Sequence, residues 1–386
     1  MSSVSRETAN GMPMPASRRI STAMKGFTLV ELMVSMVIGL IILAAVAQIF
    51  ATSRGTYNLE EGMARVQESG RFAMEFLSQD IRMAGYAGCN STGLSVGTVS
   101  GAGANTVCST NFCNGVSPTS AAFDFNPDGI AGHKYIDGRT TNNLNDWTPT
   151  LPSAYFADGQ VKAGTDVIII QRGSTVNTNI TGNPTPDNAN IQIFDTTELA
   201  GVITANSVLM ITDCKAGDVF RANSISSSSP KKTISHTSGN VSSHLSHKYG
   251  NDAELMLLIS RAYFIGTGAS GEPALMMREL STTTGAVEPA RELVEGIEEL
   301  RILYGEDTDA TADNIANRYR TADAVTSWRR VINVRVGLLA VTPVNVDAAP
   351  DNKPYTLVPG QTLAAKNDKR RRQMFTSTVQ VRNRFN

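Results

Sequence analysis

From Phe27 to Phe50 the chain runs for 24 residues in which only Thr28, Glu31, Ser35, Gly39 and Gln48 interrupt an apolar stretch. At about 1.5 Å per residue a helix over this run is roughly 36 Å long, enough for a hydrocarbon core of about 30 Å. Arg18, Arg19 and Lys25 stand just before it and nothing comparable stands just after. The positive-inside rule then leaves the N-terminus in the cytoplasm and carries everything after about residue 50 across the membrane. An ordinary secretory signal has its small-residue cleavage site after the apolar run. Here the residues after Ala47 read Gln-Ile-Phe-Ala-Thr-Ser-Arg, at best a weak site, whereas Gly26 lies directly before the run. On hydropathy alone the segment is a plain signal anchor, with Gly26 the better processing position.

Glu31 makes the plain reading insufficient. A carboxylate inside a membrane segment costs on the order of 2–3 kcal/mol to insert, so it needs a partner. Cleavage after Gly26 makes Phe27 the new N-terminus and places an α-amine four residues from Glu31. That amine, on the same or a neighbouring chain, pairs with the carboxylate inside an apolar helix bundle and fixes its register.

Lys25-Gly26-Phe27-Thr28-Leu29-Val30-Glu31 resembles the processing site of type IV prepilins and type II secretion pseudopilins. The resemblance implies that a membrane prepilin peptidase cuts between Gly26 and Phe27 and that Phe27 is then N-methylated. It divides the chain into a leader over 1–26, an apolar membrane and pilus-core helix over 27–53, an amphipathic helical half over 54–85 and an exported domain over 86–386.

Beyond Phe50 the pattern turns amphipathic. Leu59, Met63, Val66, Gly70, Ala73, Leu77, Ile81 and Ala84 recur at helical spacing and make one face. Glu61/Arg65 and Glu68/Arg71 are spaced as surface pairs. The spacing predicts one helix from Phe27 to Ala84, stopped at Gly85. Gly39, Gly55, Gly62 and Gly70 each lower its propensity by about 1 kcal/mol. So many glycines suit docking on the chain's own domain better than a coiled-coil zipper.

After Gly85 turn residues separate short strand-like runs at 166–171, 207–212, 255–265, 274–280, 297–304, 331–342 and 374–383. Strands without regular helices between them predict an α+β fold, a long N-terminal helix packed on a large antiparallel β-rich domain. The stretches 90–120 and 224–250 are rich in Ser, Thr, Gly and Asn and read as long surface loops. A net charge of −1 argues against a general polyanion-binding surface.

The candidate sites outside the leader are weaker. Cys89, Cys108, Cys113 and Cys214 include no CxxC pair, so disulfides in an exported domain fit better than a metal. Three pairings are open; we favour a local Cys108–Cys113 ring with Cys89–Cys214 stapling helix to sheet. Asp124, Asn126 and Asp128, followed by Gly129, resemble the first half of a calcium loop. Tyr135 stands where the bidentate acid belongs, so a turn explains them better. His236, His244 and His247 gather without an acidic or cysteine ligand in their stretch, and His133 stands alone, so no metal is implied. The basic run Lys369-Arg370-Arg371-Arg372, with Arg382 and Arg384, reads as a strand edge paired with acids rather than a DNA site. No nucleophile, metal or phosphate-loop motif is present, which implies a non-enzyme without a cofactor.

The stretches Asp80-Ile81-Arg82-Met83-Ala84-Gly85-Tyr86-Ala87-Gly88-Cys89, Thr212-Asp213-Cys214-Lys215-Ala216-Gly217-Asp218-Val219-Phe220, Leu293–Tyr304 and the ending Phe375-Thr376-Ser377-Thr378-Val379-Gln380-Val381-Arg382-Asn383-Arg384 resemble the PilW family of type IV pilus minor pilins. The stretches 90–160 and 221–250 show no such likeness. This resemblance implies a minor pilin of the complex that primes assembly and sits at the pilus tip. Its expected partners are other minor pilins and the major pilin through the N-terminal helix, the prepilin peptidase, the inner-membrane assembly platform and a PilY-type tip adhesin. The expected location is the inner membrane, single-pass, and then the cell-surface pilus of a Gram-negative bacterium. The alternatives are a J-type pseudopilin of type II secretion and a tip adhesin or DNA-uptake pilin.

Overall fold

The computed structural model describes residues 26, 28–89, 96–98, 112–117, 125–126, 128–182, 189–311 and 313–384. The chain divides into two compact units, Met1–Tyr57 and Asn58–Asn386. Helix α1 (Leu29–Met83) contributes its first half to one and its second half to the other.

In the first unit α1 starts at Leu29 because Thr28 caps it. The Thr28 hydroxyl accepts a hydrogen bond from the Glu31 amide at 3.2 Å, and a Glu31 carboxylate oxygen accepts the Thr28 amide at 3.0 Å. This is a reciprocal capping box, which satisfies two amides that a helix start otherwise leaves open.

In the second unit α1 buries Gly62, Val66, Gly70, Ala73, Leu77, Asp80 and Ile81, the face expected from the spacing. Leu59 and Met63, expected on it too, are only partly covered. Fully burying Leu77 and Ile81 contributes about 1.5–3 kcal/mol each. Gly70 is required by packing: a Cβ there would lie 2.1 Å from Cε2 of Phe375, so the ring rests directly on the helix backbone. The helix ends at Gly85 (φ +72°), whose amide donates to the Gln171 carbonyl at 2.9 Å. Gly129 (φ +65°) comes so close that a Cβ on it would lie 2.2 Å from the Gly85 nitrogen.

The strands in chain order are β1 (Val96–Thr98), β2 (Phe112–Asn114), β3 (Ile130–Tyr135), β4 (Trp147–Thr148), β5 (Val167–Asn179) and β6 (Ile191–Phe194). After a short helix α2 (Glu198–Val202) come β7 (Val208–Thr212), β8 (Gly217–Arg221), β9 (Ser224–Ser228), β10 (Lys231–Ser235) and β11 (Glu254–Thr267). The remainder are β12 (Pro273–Glu279), β13 (Arg291–Glu295), β14 (Ile297–Glu306), β15 (Arg318–Arg320), β16 (Val331–Val341), β17 (Tyr355–Val358), β18 (Gln361–Leu363) and β19 (Arg372–Gln380). The largest sheet has the order β1-β2-β8-β7-β11-β5-β3-β4, with β12 on β11 and β13 on β12. The next is β15-β14-β16-β19, beside the small sheets β6-β10-β9 and β17-β18. Pairing is antiparallel except for β1 on β2 and β2 on β8. The expected α+β class, a long helix with a large β-rich domain, is what the chain adopts.

The central strands are covered on both faces, so their runs are continuously apolar rather than alternating. Along β5, Ile168 and Ile170 enter the core shared with α1, while Val167 and Ile169 enter a second core with Trp147, Tyr155 and Phe264. Along β7, Leu209 and Ile211 face a third core with Ile191, Ile193 and Ile234. One expectation is corrected. Residues 224–250 are not simply a loop: β9 and β10 form an antiparallel hairpin extended by β6. Its strands are Ser-Ile-Ser-Ser-Ser and Lys-Lys-Thr-Ile-Ser, anchored in the third core by buried Ile234 and partly buried Ile225. Likewise β1 and β2 fall within 90–120, most of which lies outside the described residues.

Candidate functional site

The first unit places Gly26 and Thr28 at the start of an uncovered apolar helix. Gly26 is exposed, with no atom within 4 Å of where a Cβ would stand. Phe27 lies outside the described residues. Glu31 has its first partner in its own chain: one carboxylate oxygen accepts both the amide and the hydroxyl of Thr28, each at 3.0 Å. The helix N-terminus adds a favourable dipole for a negative group. Leu29 (76% exposed), Leu40 (66%), Leu43 (67%) and Phe50 (62%) are typical of a helix that displays its apolar side chains on every face. A soluble monomer does not leave so large a continuous patch bare, so this half is built for lipid or for other helices. By length and composition α1 is able to cross a membrane.

In the second unit the organising group is Asp80, which appears in the sequence reading without a role. Its carboxylate accepts Arg172 Nη2 at 3.1 Å, Arg261 Nη1 at 3.0 Å and the Tyr263 hydroxyl at 2.6 Å. Burial pushes this carboxyl up, but Arg261, the Tyr263 hydroxyl and Arg172 together hold it below the usual carboxylate range. Arg261 also donates to Glu279 at 2.9 Å. One helical carboxylate thus locks α1 onto β5 and β11.

The other candidates separate. Cys89 and Cys214 form a disulfide with Cα atoms 5.1 Å apart, joining the helix exit to the turn after β7. Cys113 is buried and disulfide-bonded, and Cys108 lies outside the described residues. Asp124 lies outside them too; the Asn126 side chain accepts the Asp128 amide at 2.9 Å and donates to the Ile130 carbonyl, which makes it a turn residue. The histidines do not converge. His236 Nε2 donates to the Ala189 carbonyl at 3.1 Å, and His247 lies 3.3 Å from Asp213. His133 Nδ1 donates to the Pro149 carbonyl at 2.8 Å, and burial lowers its pKa.

The basic run is paired. Arg370 reaches Glu272 at 2.7 Å, Arg371 reaches Asp347 at 3.2 Å, and buried Arg372 meets Glu298 and Asp368 at 2.7 and 2.6 Å. Hydrogen bonding from Arg372 holds Asp368 down to about 2.

Two further features escaped the sequence. Asp307, Asp309 and Asp313 bring carboxylate oxygens within 4.8 Å of one another, but the Asp307 oxygens already accept the amides of Asp309, Asp313 and Asn314. Asp166 and Asp218 are enclosed, and burial pushes each up to about 6. Asp218 accepts hydrogen bonds from Ser246 and Tyr249, and Asp166 from the Ile302 amide. Both serve the chain's own hydrogen bonding.

Residues 262–383 match the family model of the type IV pilus-assembly protein W, and residues 22–47 match that of the prokaryotic N-terminal methylation motif. A solved type IV-like pilin from Thermus thermophilus is 9% identical over 83% of this chain and 97% of its own, with a TM-score of 0.31. A likeness that loose bears no weight for the fold. No curated protein sequence matches the chain.

Proposed function

The two family matches make the chain a PilW-family type IV pilin, and on that premise we propose that it is a minor pilin of the complex that primes pilus assembly and occupies the tip. Residues 1–26 are then the leader, 27–53 the membrane and filament-core helix, 54–85 the docked half of the helix and 86–386 the exported domain. Prepilin peptidase cuts after Gly26, and Phe27 becomes the methylated N-terminus. The chain waits in the inner membrane with its N-terminus cytoplasmic and enters the pilus of a Gram-negative bacterium when the assembly platform lifts it.

The observation that carries this reading is the placement of the methylation motif at the start of a helix half whose apolar side chains are all uncovered. In the filament those side chains pack against the helices of other minor pilins and the major pilin. The Phe27 amine pairs with a Glu31 carboxylate, in which case the Thr28 cap is the arrangement that Glu31 leaves on assembly. A PilY-type adhesin is the expected partner at the tip. A rare tip position suits a chain of 386 residues, bulky for a repeating subunit. The pilin family points to a structural rather than a catalytic protein.

Replacing the glycine tests the processing step. Gly26→Val should leave an unprocessed membrane protein of full length and reduce surface pili. A processed product of normal mass from that variant would remove the basis of the reading.

A further inference from the structure

A cavity of about 370 Å³ lies over strands β3 and β5, within the roughly 300–1,000 Å³ of small-molecule sites. Ala131 and His133 of β3 and Ile169 and Gln171 of β5 line it from the sheet. These residues alternate along their strands and share the face that Ile169 gives to the second core, turned from α1. Ala131 stands opposite Ile169 in the register, and its small side chain leaves the space open. Phe125, Pro149, Pro152 and Tyr155 add their rings to the walls.

No Asp, Glu, Lys or Arg lines this cavity, so a charged occupant would find no counter-charge in it. Burial lowers the His133 pKa and keeps that ring neutral at pH 7 as well. The ring-lined walls suit a cyclic body.

The polar residues of the lining differ in what they leave unused. Asn126 and Gln171 are engaged with each other, the Asn126 amide donating to Gln171 Oε1 at 2.6 Å. The His133 ring, 6% exposed, donates from Nδ1 to the Pro149 carbonyl at 2.8 Å, which leaves Nε2 an acceptor. The backbone groups that meet the ring, at Pro149 and Thr150, favour its protonated form, so both are acceptors and neither supplies a donor. Nε2 is enclosed and has no partner among the described residues. An enclosed acceptor without a donor is unfavourable, and a donor brought by an occupant removes that cost.

We propose that this cavity binds a small neutral ring compound whose hydroxyl donates to His133 Nε2. Phenols and pyranosides share that chemistry. The inference concerns the second unit alone and does not rest on the pilin reading.

The test uses the full chain in detergent, with phenol and methyl β-glucopyranoside as the two probes. Equilibrium dialysis against protein-free micelles reads binding, and the Nε2 resonance of isotope-labelled His133 reads the contact. Phenol should bind saturably and about tenfold tighter than anisole, which keeps the ring and lacks the donor, and than benzoate, which adds a charge. The glucoside should exceed glucuronate by a similar factor. Whichever probe moves the Nε2 resonance identifies the source, aromatic or sugar. His133→Phe should erase the preference for phenol over anisole, or the binding of the glucoside. Ala131→Leu fills the space and should abolish binding of both; should it unfold the chain, the anisole, benzoate and glucuronate comparisons still decide. The proposal is overturned if neither probe moves the resonance, if the charged or donor-free counterparts bind as tightly, or if His133→Phe binds as the natural chain does.

Discussion

The two halves of helix α1 share one backbone and teach opposite lessons about what a helix is for. Through Phe50 it is apolar on every side and covered on none. From Gly62 to Ile81 it is amphipathic, with a buried stripe that ends in the charge cluster at Asp80. The same residue type acts differently in each. Gly39 has nothing within 4 Å of a Cβ position, whereas Gly70 holds the Phe375 ring. Glu31 is held by a threonine three residues away, while Asp80 gathers partners 92 and 181 residues distant. The first half leaves its apolar surface bare, and the second is covered by its own chain.

That contrast can be broken by paired substitutions, measured by denaturant unfolding of the detergent-solubilised chain. The largest effect should come from Asp80→Ala, which takes the buried carboxylate from half-buried Arg172, Arg261 and the Tyr263 hydroxyl and should cost about 3–5 kcal/mol. Glu31→Gln should leave the unfolding of the second unit unchanged. Leu77→Ala opens a cavity in a fully buried site and should cost about 3 kcal/mol, against no loss for exposed Leu43→Ala. Gly70→Ala forces Phe375 to move and should cost about 1–3 kcal/mol, whereas Gly39→Ala should not destabilise the second unit. An equal loss within any pair would erase the distinction.

A further contrast is the dependence on pH of the second unit's stability. Asp80 has a lowered folded pKa, so its contribution is present above the unfolded value of about 3.9 and is lost as pH falls through the folded one. Asp166 and Asp218, each raised to about 6, act oppositely. Their ionisation penalises the folded state above about pH 6 and is relieved as pH falls toward the unfolded value. These two carboxyls move the Tm maximum toward the acid side of neutral, while His133 and His236, held below the usual imidazole range by burial, withdraw stability as pH falls below about 6.5. Asp166→Asn with Asp218→Asn should flatten the limb between about pH 4 and 6, and Asp80→Asn the limb below about pH 4.

How much was legible follows from the range of each interaction. The face of α1 and the strands β5, β7, β11, β14, β16 and β19 announce themselves through local runs such as Val-Ile-Ile-Ile and Val-Leu-Met-Ile. The hairpin β9–β10 did not, because its serines carry no apolar alternation and its place is set by pairing with β6. β5 continues past Gln171 through polar residues to Asn179 because β11 pairs with it there. At the candidate site the motif from Gly26 to Glu31 is local and could be read directly, but its Thr28 cap was missed although both residues stand in it. Asp80 could be seen as part of a resemblance, never as a clamp, since Arg172 and Arg261 give no sign of meeting it.

The central claim is that the apolar half is a processed pilin helix, and the N-terminal sequence of the protein recovered from cells tests it most directly. The account predicts a mature chain beginning with N-methylated Phe27. A chain still beginning at Met1, or one cut after the apolar run beyond Phe50, would contradict it.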